Sequence, residues 1–485
     1  MGRIRNKDLE RKIMDPVEAI KFIPKRGVLA FAGMAGTAYP KVIPRVLAER
    51  VKNDKDFGYV ILNGGSVADD FDEAISKINI LRRYPLGSSS EKLRKEVNAR
   101  SFEVSDLWLF EFSRWVRLGV LKRRIGKIDV AVMEATAIME DGEIIPSLSL
   151  DSAPSFIDAA ESVIIEINMN KPELTGLHDV YAYKVGDLIP IKGVLDRIGE
   201  KGLRIPMRKI KAIVLSEYDD SEKIHYSKGE EIDLKVAEKI IDFLSKEIRE
   251  DENLRGGKFT LQPGAGPIAS LMSRKIRDLE VKIGIWGEVA PTSWLPTLSE
   301  NVEGISGAVL YTLPGERKFR DILLNELEEF KKRIVIRPYE VMNNPQIILR
   351  FNHVVIQQAI EVDLYGNANI THIGDNLYGG VGGSGDHTRP SYLTIIALPS
   401  ITSSGISRIV PLTTHVSLPG QDVDVVVTEQ GWADLRLLSP TERAREIIEK
   451  CSNPKHKDWL WDYYNSIIKQ RGHYPINIEK AFTRY

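Results

Sequence analysis

The places in this sequence where chemistry could occur are four glycine-bearing loops, each beside an apolar run. The first, Leu261-Gln-Pro-Gly264-Ala265-Gly266-Pro267-Ile268, lies between a strand-like and a helix-like stretch. Glycines there let backbone N–H groups approach a phosphate or thioester next to a positive helix end. A tight turn accounts for the same residues. The second, Gly379-Gly380-Val381-Gly382-Gly383-Ser384-Gly385-Asp386, holds five glycines in its first seven residues. One turn does not need so many. Such a loop can aim several N–H donors at one point, as an oxyanion hole or anion nest requires. The alternative is a flexible surface loop. The third and fourth are Gly33-Met-Ala-Gly36 and Asn63-Gly-Gly-Ser66.

Acidic residues are harder to choose among, since the chain has 68 of them. Glu288 follows the apolar run Ile283-Gly-Ile-Trp286, and Glu429 ends Val427-Thr428. Both fall at the carboxyl ends of expected strands, but position alone singles out neither. The eight histidines form no metal-binding spacing, and no H-E-x-x-H or H-x₃-H pair occurs. No G-x-S-x-G elbow and no Walker loop is present. A serine hydrolase, a zinc hydrolase and a P-loop ATPase are therefore disfavoured, and no metal is expected.

These loops need elements to hold them. Short β-rich runs at 27–31, 59–62, 128–133, 163–167 and 210–215 alternate with amphipathic stretches, including an expected helix at Val42–Val51. Strands separated by helices predict parallel βαβ units, with ligands at the strands' carboxyl ends. Residues 216–230 are polar and without period. Val236, Ile240, Ile241, Leu244 and Ile248 then repeat at helical spacing. Further strand-like runs lie at 259–261, 284–286, 308–311, 335–336 and 424–427. The reading is α/β, in two tandem domains, 1–222 and 223–485, without a strict sequence repeat. The end turns helical: Ser439-Pro-Thr-Glu442 is a capping-box start, and Trp459 to Ile467 is amphipathic.

With 485 residues the chain exceeds what one hydrophobic core usually holds, about 250–300 residues. A net charge of −1 provides no field for nucleic acid or an anionic membrane. The single cysteine, Cys451, cannot form an internal disulfide and reads as a bystander thiol in a reducing compartment. The first residues carry no apolar signal segment, and no run of about 18 apolar residues occurs. A cytoplasmic protein, off the membrane and off nucleic acid, is the expectation.

Ordered stretches then carry a resemblance. They are Tyr39-Pro-Lys-Val-Ile-Pro, Ile128-Asp-Val-Ala-Val-Met-Glu134-Ala, Glu140-Asp-Gly-Glu, and Val163-Ile-Ile-Glu-Ile-Asn168 in the first half. In the second they are Gly264-Ala-Gly266, Gly287-Glu288-Val289, and Ala359-Ile-Glu-Val-Asp363-Leu-Tyr-Gly366-Asn367. Gly380-Val-Gly-Gly-Ser-Gly-Asp386 and Val427-Thr-Glu-Gln-Gly431-Trp-Ala-Asp-Leu-Arg436 complete the set. Together they resemble the acetyl-CoA hydrolase/transferase family, which belongs to the class I CoA-transferases, over nearly the whole chain.

The resemblance implies two tandem open α/β domains of CoA-transferase type, with the active site in the cleft between them, and a homodimer. It implies transfer of CoA between a short-chain acyl-CoA and a carboxylate of acetate or succinate type, through a glutamyl-CoA thioester. Acyl-CoA hydrolysis at the same site, or CoA binding without catalysis, are the alternatives. No tightly bound cofactor is implied; coenzyme A and small carboxylic acids are the substrates. Glu288 matches the nucleophile, and Gly382 and Gly383 match substrate or oxyanion contacts. Glu429 matches a glutamate near the nucleophile, and Asn343 an asparagine of the acyl pocket. Gly264, Ala265, Gly266, Pro267 and Ile268 match a CoA-binding loop, to which Gly382 and Thr402 add contacts. Two departures stand out. Gly287 occupies a place where Thr or Ser is usual, and Ile401-Thr402-Ser403-Ser404-Gly405 lacks the lysine expected near CoA.

Overall fold

The β-branched runs become strands, and the loops fall at their ends. The computed structural model describes residues 2–52, 54–85, 90–221 and 229–482. Residues 222–228 of the expected linker lie outside the described residues. The first sheet contains β1 (Arg26–Phe31), β2 (Gly58–Asn63), β3 (Ile80–Tyr84), β4 (Glu103–Val104), β5 (Ile128–Ile138), β6 (Ile144–Pro146), β7 (Ala160–Asn168) and β8 (Ile210–Ser216). Its order is β4-β3-β2-β1-β5-β7-β8, with β6 antiparallel on β5 and every other pairing parallel.

The second sheet begins with β9 (Thr260–Gln262), β10 (Ile283–Pro291), β11 (Val302–Tyr311), β12 (Ile334–Ile336) and β13 (Val354–Gln358). Small sheets follow, from β14 (Glu361–Asp363), β15 (Ala368–Asn369), β16 (His372–Ile373) and β17 (Asn376–Leu377). The chain then adds β18 (Leu393–Ala397), β19 (Ile409–Val410), β20 (Val425–Thr428) and β21 (Gly431–Asp434). The main order is β12-β11-β10-β9-β13-β18-β20-β21, parallel except for β20 against β21. Both sheets therefore run outward from their first strand on one side and return to the other side of it. The sequence shows no strict repeat, but the topology repeats. Each sheet has its switch point at the first strand, β1 or β9, where ligand crevices form in open parallel sheets.

Some of the ordered motifs serve the fold. Glu166 on β7 accepts the backbone N–H groups of Lys41, Val42 and Ile43, closing the N-terminus of the Val42–Val51 helix. Glu134 on β5 accepts from Lys41, from Lys171 at 2.6 Å and from Asn168 at 2.9 Å. Asp220 lies 3.0 Å from Lys41 and 2.7 Å from Lys171. The four charges are buried together and neutralise one another, as buried ions must. Asp363 turns its own chain by accepting from the N–H groups of Tyr365 and Asn367.

The capping box at Ser439 and Glu442 starts Pro440–Cys451, and Lys457–Ile467 follows with Leu460, Tyr463 and Ile467 buried. Cys451 is buried, its thiol 3.3 Å from the Val426 carbonyl, and burial pushes its pKa up. Among the described residues no helix is long and apolar enough to cross a membrane.

Candidate active site

β10 is buried along its whole length, and Trp286 and Glu288 point to the same face of it. The Trp286 indole donates to the Met342 carbonyl at 2.8 Å, fixing the short helix Tyr339–Met342 beside the strand. Asn343 ends that helix and so arrives next to Glu288. Its side-chain amide donates to Glu288 Oε2 at 2.5 Å and approaches Asp386 Oδ2 at 3.0 Å. The backbone N–H of Gly383 also donates to the Glu288 carboxylate. Gly383 must be glycine here: a Cβ would overlap both Glu288 Oε2 and Asn343 Nδ2. Gly382, at φ +56°, lies against Glu288 Oε1.

Burial pushes the Glu288 carboxyl up to about 8, the charge of Asp386 adds to this, and the two N–H donors oppose it. Asp386 is itself pushed up to about 7 by burial. A buried carboxyl with its own donors, in reach of a cavity, is a candidate functional group.

The 379–386 loop is held by the first half of the chain. Asp106 accepts the Val381 N–H at 2.9 Å, and Asp386 accepts that of Phe110 at 2.9 Å. Leu109 donates to the Gly382 carbonyl at 3.3 Å, and the Trp108 ring packs on Gly385. Nothing in the sequence marked residues 106–110, an ordinary Asp-Leu-Trp-Leu-Phe run. Their role depends on partners some 275 residues away.

Glu288 opens onto a cavity of about 730 Å³. All four glycine-bearing loops reach it: Met34 and Ala35, Gly65 and Ser66, Gly264, Ala265 and Pro267, and the 379–384 segment. Gly264 and Gly266 sit at φ +78° and +100°, and a Cβ on Gly264 would strike the Ile356 carbonyl. The Gly266 N–H donates to the Tyr311 hydroxyl at 3.0 Å, and Gln358 donates to the Ala265 carbonyl. Gly264, Ala265, Pro267, Gly382, Gly383 and Thr402 line the cavity. Ile268 is fully buried in the core instead, and Gly266 does not line the cavity.

Glu429 is placed elsewhere. It accepts the Ser400 N–H at 2.7 Å and the Ser400 hydroxyl, and it lines a separate cavity beside Lys235, Lys239 and Lys275. It does not itself line the main cavity, but it lies close enough to Arg408, which does, to favour that side chain's charge. Arg408 also lines the main cavity, and no sequence motif pointed to it. Buried His353 and His387 face each other, Nε2 to Nδ1, at 3.2 Å. Among the described residues no group of His, Cys, Asp and Glu is placed to hold a metal ion.

Comparison with known proteins agrees with this picture. Residues 2–191 match the acetyl-CoA hydrolase/transferase N-terminal domain, and residues 315–464 match the C-terminal domain of the same family. The chain is 35% identical to a succinyl-CoA:acetate CoA-transferase of Clostridium kluyveri, covering 99% of this chain and 90% of that protein. It is 33% identical to an acetyl-CoA hydrolase of Schizosaccharomyces pombe, covering 99% and 96%. A solved 4-hydroxybutyrate CoA-transferase of Porphyromonas gingivalis shares the fold, with a TM-score of 0.64 at 18% identity over 94% of this chain and 98% of that one.

Proposed function

Because the chain belongs to the acetyl-CoA hydrolase/transferase family, we propose that it transfers CoA between a short-chain acyl-CoA and a carboxylate acceptor of acetate or succinate type. The observation that carries this reading is Glu288, a buried carboxyl held by Asn343 and Gly383 against a large cavity. The rest of the notional assembly is proposed with it: domains 1–222 and 223–485, a cleft between them, a homodimer, and a cytoplasmic setting.

In this reading Glu288 acts as its carboxylate. One oxygen attacks the thioester carbonyl carbon; the C–S bond breaks and CoA leaves as the thiolate, giving a mixed anhydride. The thiolate then attacks the Glu288 carbonyl carbon, expels the first carboxylate and leaves a glutamyl-CoA thioester. An incoming carboxylate attacks that thioester, and the two steps run in reverse. Atoms and charge balance without oxidant or metal, and thioester energy is kept. Gly382 and Gly383 supply N–H groups to the developing oxyanions, while Asn343 orients the carboxylate. The binding energy of the remote part of CoA holds the thioester in place for attack.

The experiment is incubation with acyl-CoA followed by borohydride. Reduction at Glu288, with loss of activity, is the expected result. Turnover with an unmodified Glu288 sinks the covalent route. The family name also covers hydrolysis, and the Schizosaccharomyces pombe relative is an acetyl-CoA hydrolase, which favours a second reading with water as acceptor. Acyl-CoA loss measured with and without acetate or succinate separates the two. Loss that is equally fast without acceptor assigns hydrolysis.

A further inference from the structure

Among the described residues, one cation of the cavity has a buried donor with no acceptor. Among the described residues that line it, Arg408 is the only one with a basic side chain. It is half-buried, and its Nε is buried without an acceptor. Among the described residues its guanidinium closes no ion pair. Burial lowers its pKa, while Asp233 and Glu429 are close enough to favour its charge. Both of those carboxylates are committed elsewhere: Asp233 to the Glu230 N–H of a capping box, and Glu429 to Ser400. A half-buried guanidinium with a buried, unused Nε donor calls for an anionic oxygen ligand, and its planar fork suits phosphate or carboxylate.

Position decides which. The Arg408 backbone N–H donates to the Ser400 carbonyl at 2.9 Å, just beyond the carboxyl end of β18. Between β18 and the Glu288 strand lie β13 and β9. Three spacings of about 4.8 Å set those strands about 14 Å apart. The pantetheine arm runs through about thirteen bonds from sulfur to its first phosphorus, roughly 15 Å at the extended pitch of a chain. The 401–405 turn holds no lysine, and Arg408 approaches it from the other end of the same turn.

We propose that Arg408 grips the pyrophosphate end of CoA, holding the thioester over Glu288, and so determines preference for phosphate-bearing thiol carriers. The inference rests on the reading of this cavity as a CoA site.

The test compares affinities of wild type and Arg408→Met for CoA, dephospho-CoA, 4′-phosphopantetheine and pantetheine, by calorimetry or competition. Losing one charged contact should weaken CoA and 4′-phosphopantetheine roughly ten- to hundredfold and leave pantetheine unchanged. Arg408→Lys, which keeps the charge, should stay within a few-fold of wild type and guards against a misfolded Met variant. Unchanged CoA affinity in Arg408→Met overturns the proposal, as does an equal loss for pantetheine. So does a wild type that does not prefer CoA to pantetheine. A loss for CoA that dephospho-CoA does not share moves the contact to the 3′-phosphate and overturns the pyrophosphate assignment. None of these readouts needs turnover. Phosphate-dependent affinity without CoA transfer would keep the inference and remove the proposed function.

Discussion

At the scale of the residue, the site depends on how a buried carboxyl can serve as a nucleophile. Glu288 is pushed up to about 8, so near neutral pH the free protein holds it largely protonated. The attacking form is the carboxylate. Raising the pH through about 8 therefore increases the reactive fraction, and kcat/KM for acyl-CoA should climb with pH and level off above that value. Lowering the pH should cost about tenfold per unit once well below it. A pH–rate profile of kcat/KM checks this, and one that is flat between pH 6 and 8 removes Glu288 ionisation as the controlling step. Asn343 works against protonation by donating to Oε2, and Asp386 works with it by its charge. The environment of Glu288 thus sets both its reserve and its readiness, whereas Gly287 contributes no side chain to either.

At the scale of the element, the 379–386 loop is tied at both ends to the first half of the chain. Asp106 and Asp386 anchor it from opposite ends, on the N–H groups of Val381 and Phe110. The loop then presents Gly382 and Gly383 to the Glu288 carboxylate, with no room for a side chain at Gly383. Gly383→Ala should lower kcat by roughly 10²–10³, the usual consequence of losing an oxyanion donor or its geometry. Steady-state kinetics measure it, and a kcat within a few-fold of wild type would show that the loop can step back from Glu288. Glycine density alone left a flexible loop open. The anchors lie far away in the chain, so no local pattern could have revealed them. By contrast, the Val42–Val51 helix and the Ser439–Glu442 capping box were legible, because helix period and cap chemistry are encoded within a few residues.

At the scale of the whole molecule, the two sheets share one core. Residues of β5, β7, β10, β11 and β18 belong to a single buried cluster. Backbone bonds stitch the halves: Leu150 to Ala308, Leu310 to Leu148, and Asp179 to Ile336. Arg337 and Asp179 form a fully buried ion pair across the same seam, and Arg117 meets Glu340 at 2.8 Å. Arg337→Met leaves Asp179 buried and unpaired and should destabilise the protein by about 3–5 kcal/mol. With so much shared contact, calorimetry should show one unfolding transition that moves as a unit in the variant. Two separated transitions, with only one shifted, would show halves that fold independently.

The sequence by itself determined the α/β class, the positions of ten strands of the two main sheets and of the long helices, and the family. Those rest on local periodicity, on cap and turn chemistry, and on ordered motifs such as 380–386 and 427–436 that remain readable without coordinates. Only the tertiary structure decided which of 68 acidic residues share a site. It joined Glu288 to Asn343 and Gly383, sent Glu429 to Ser400, and gave Glu134 and Glu166 to the fold. It also brought four separated glycine loops to one cavity and, among the described residues, left the buried Arg408 Nε there without an acceptor. The physical reason is strand order. Side-chain period says which face a residue takes, but neighbours across a sheet are chosen by how the strands pack. That choice places residues hundreds of positions apart within hydrogen-bonding distance.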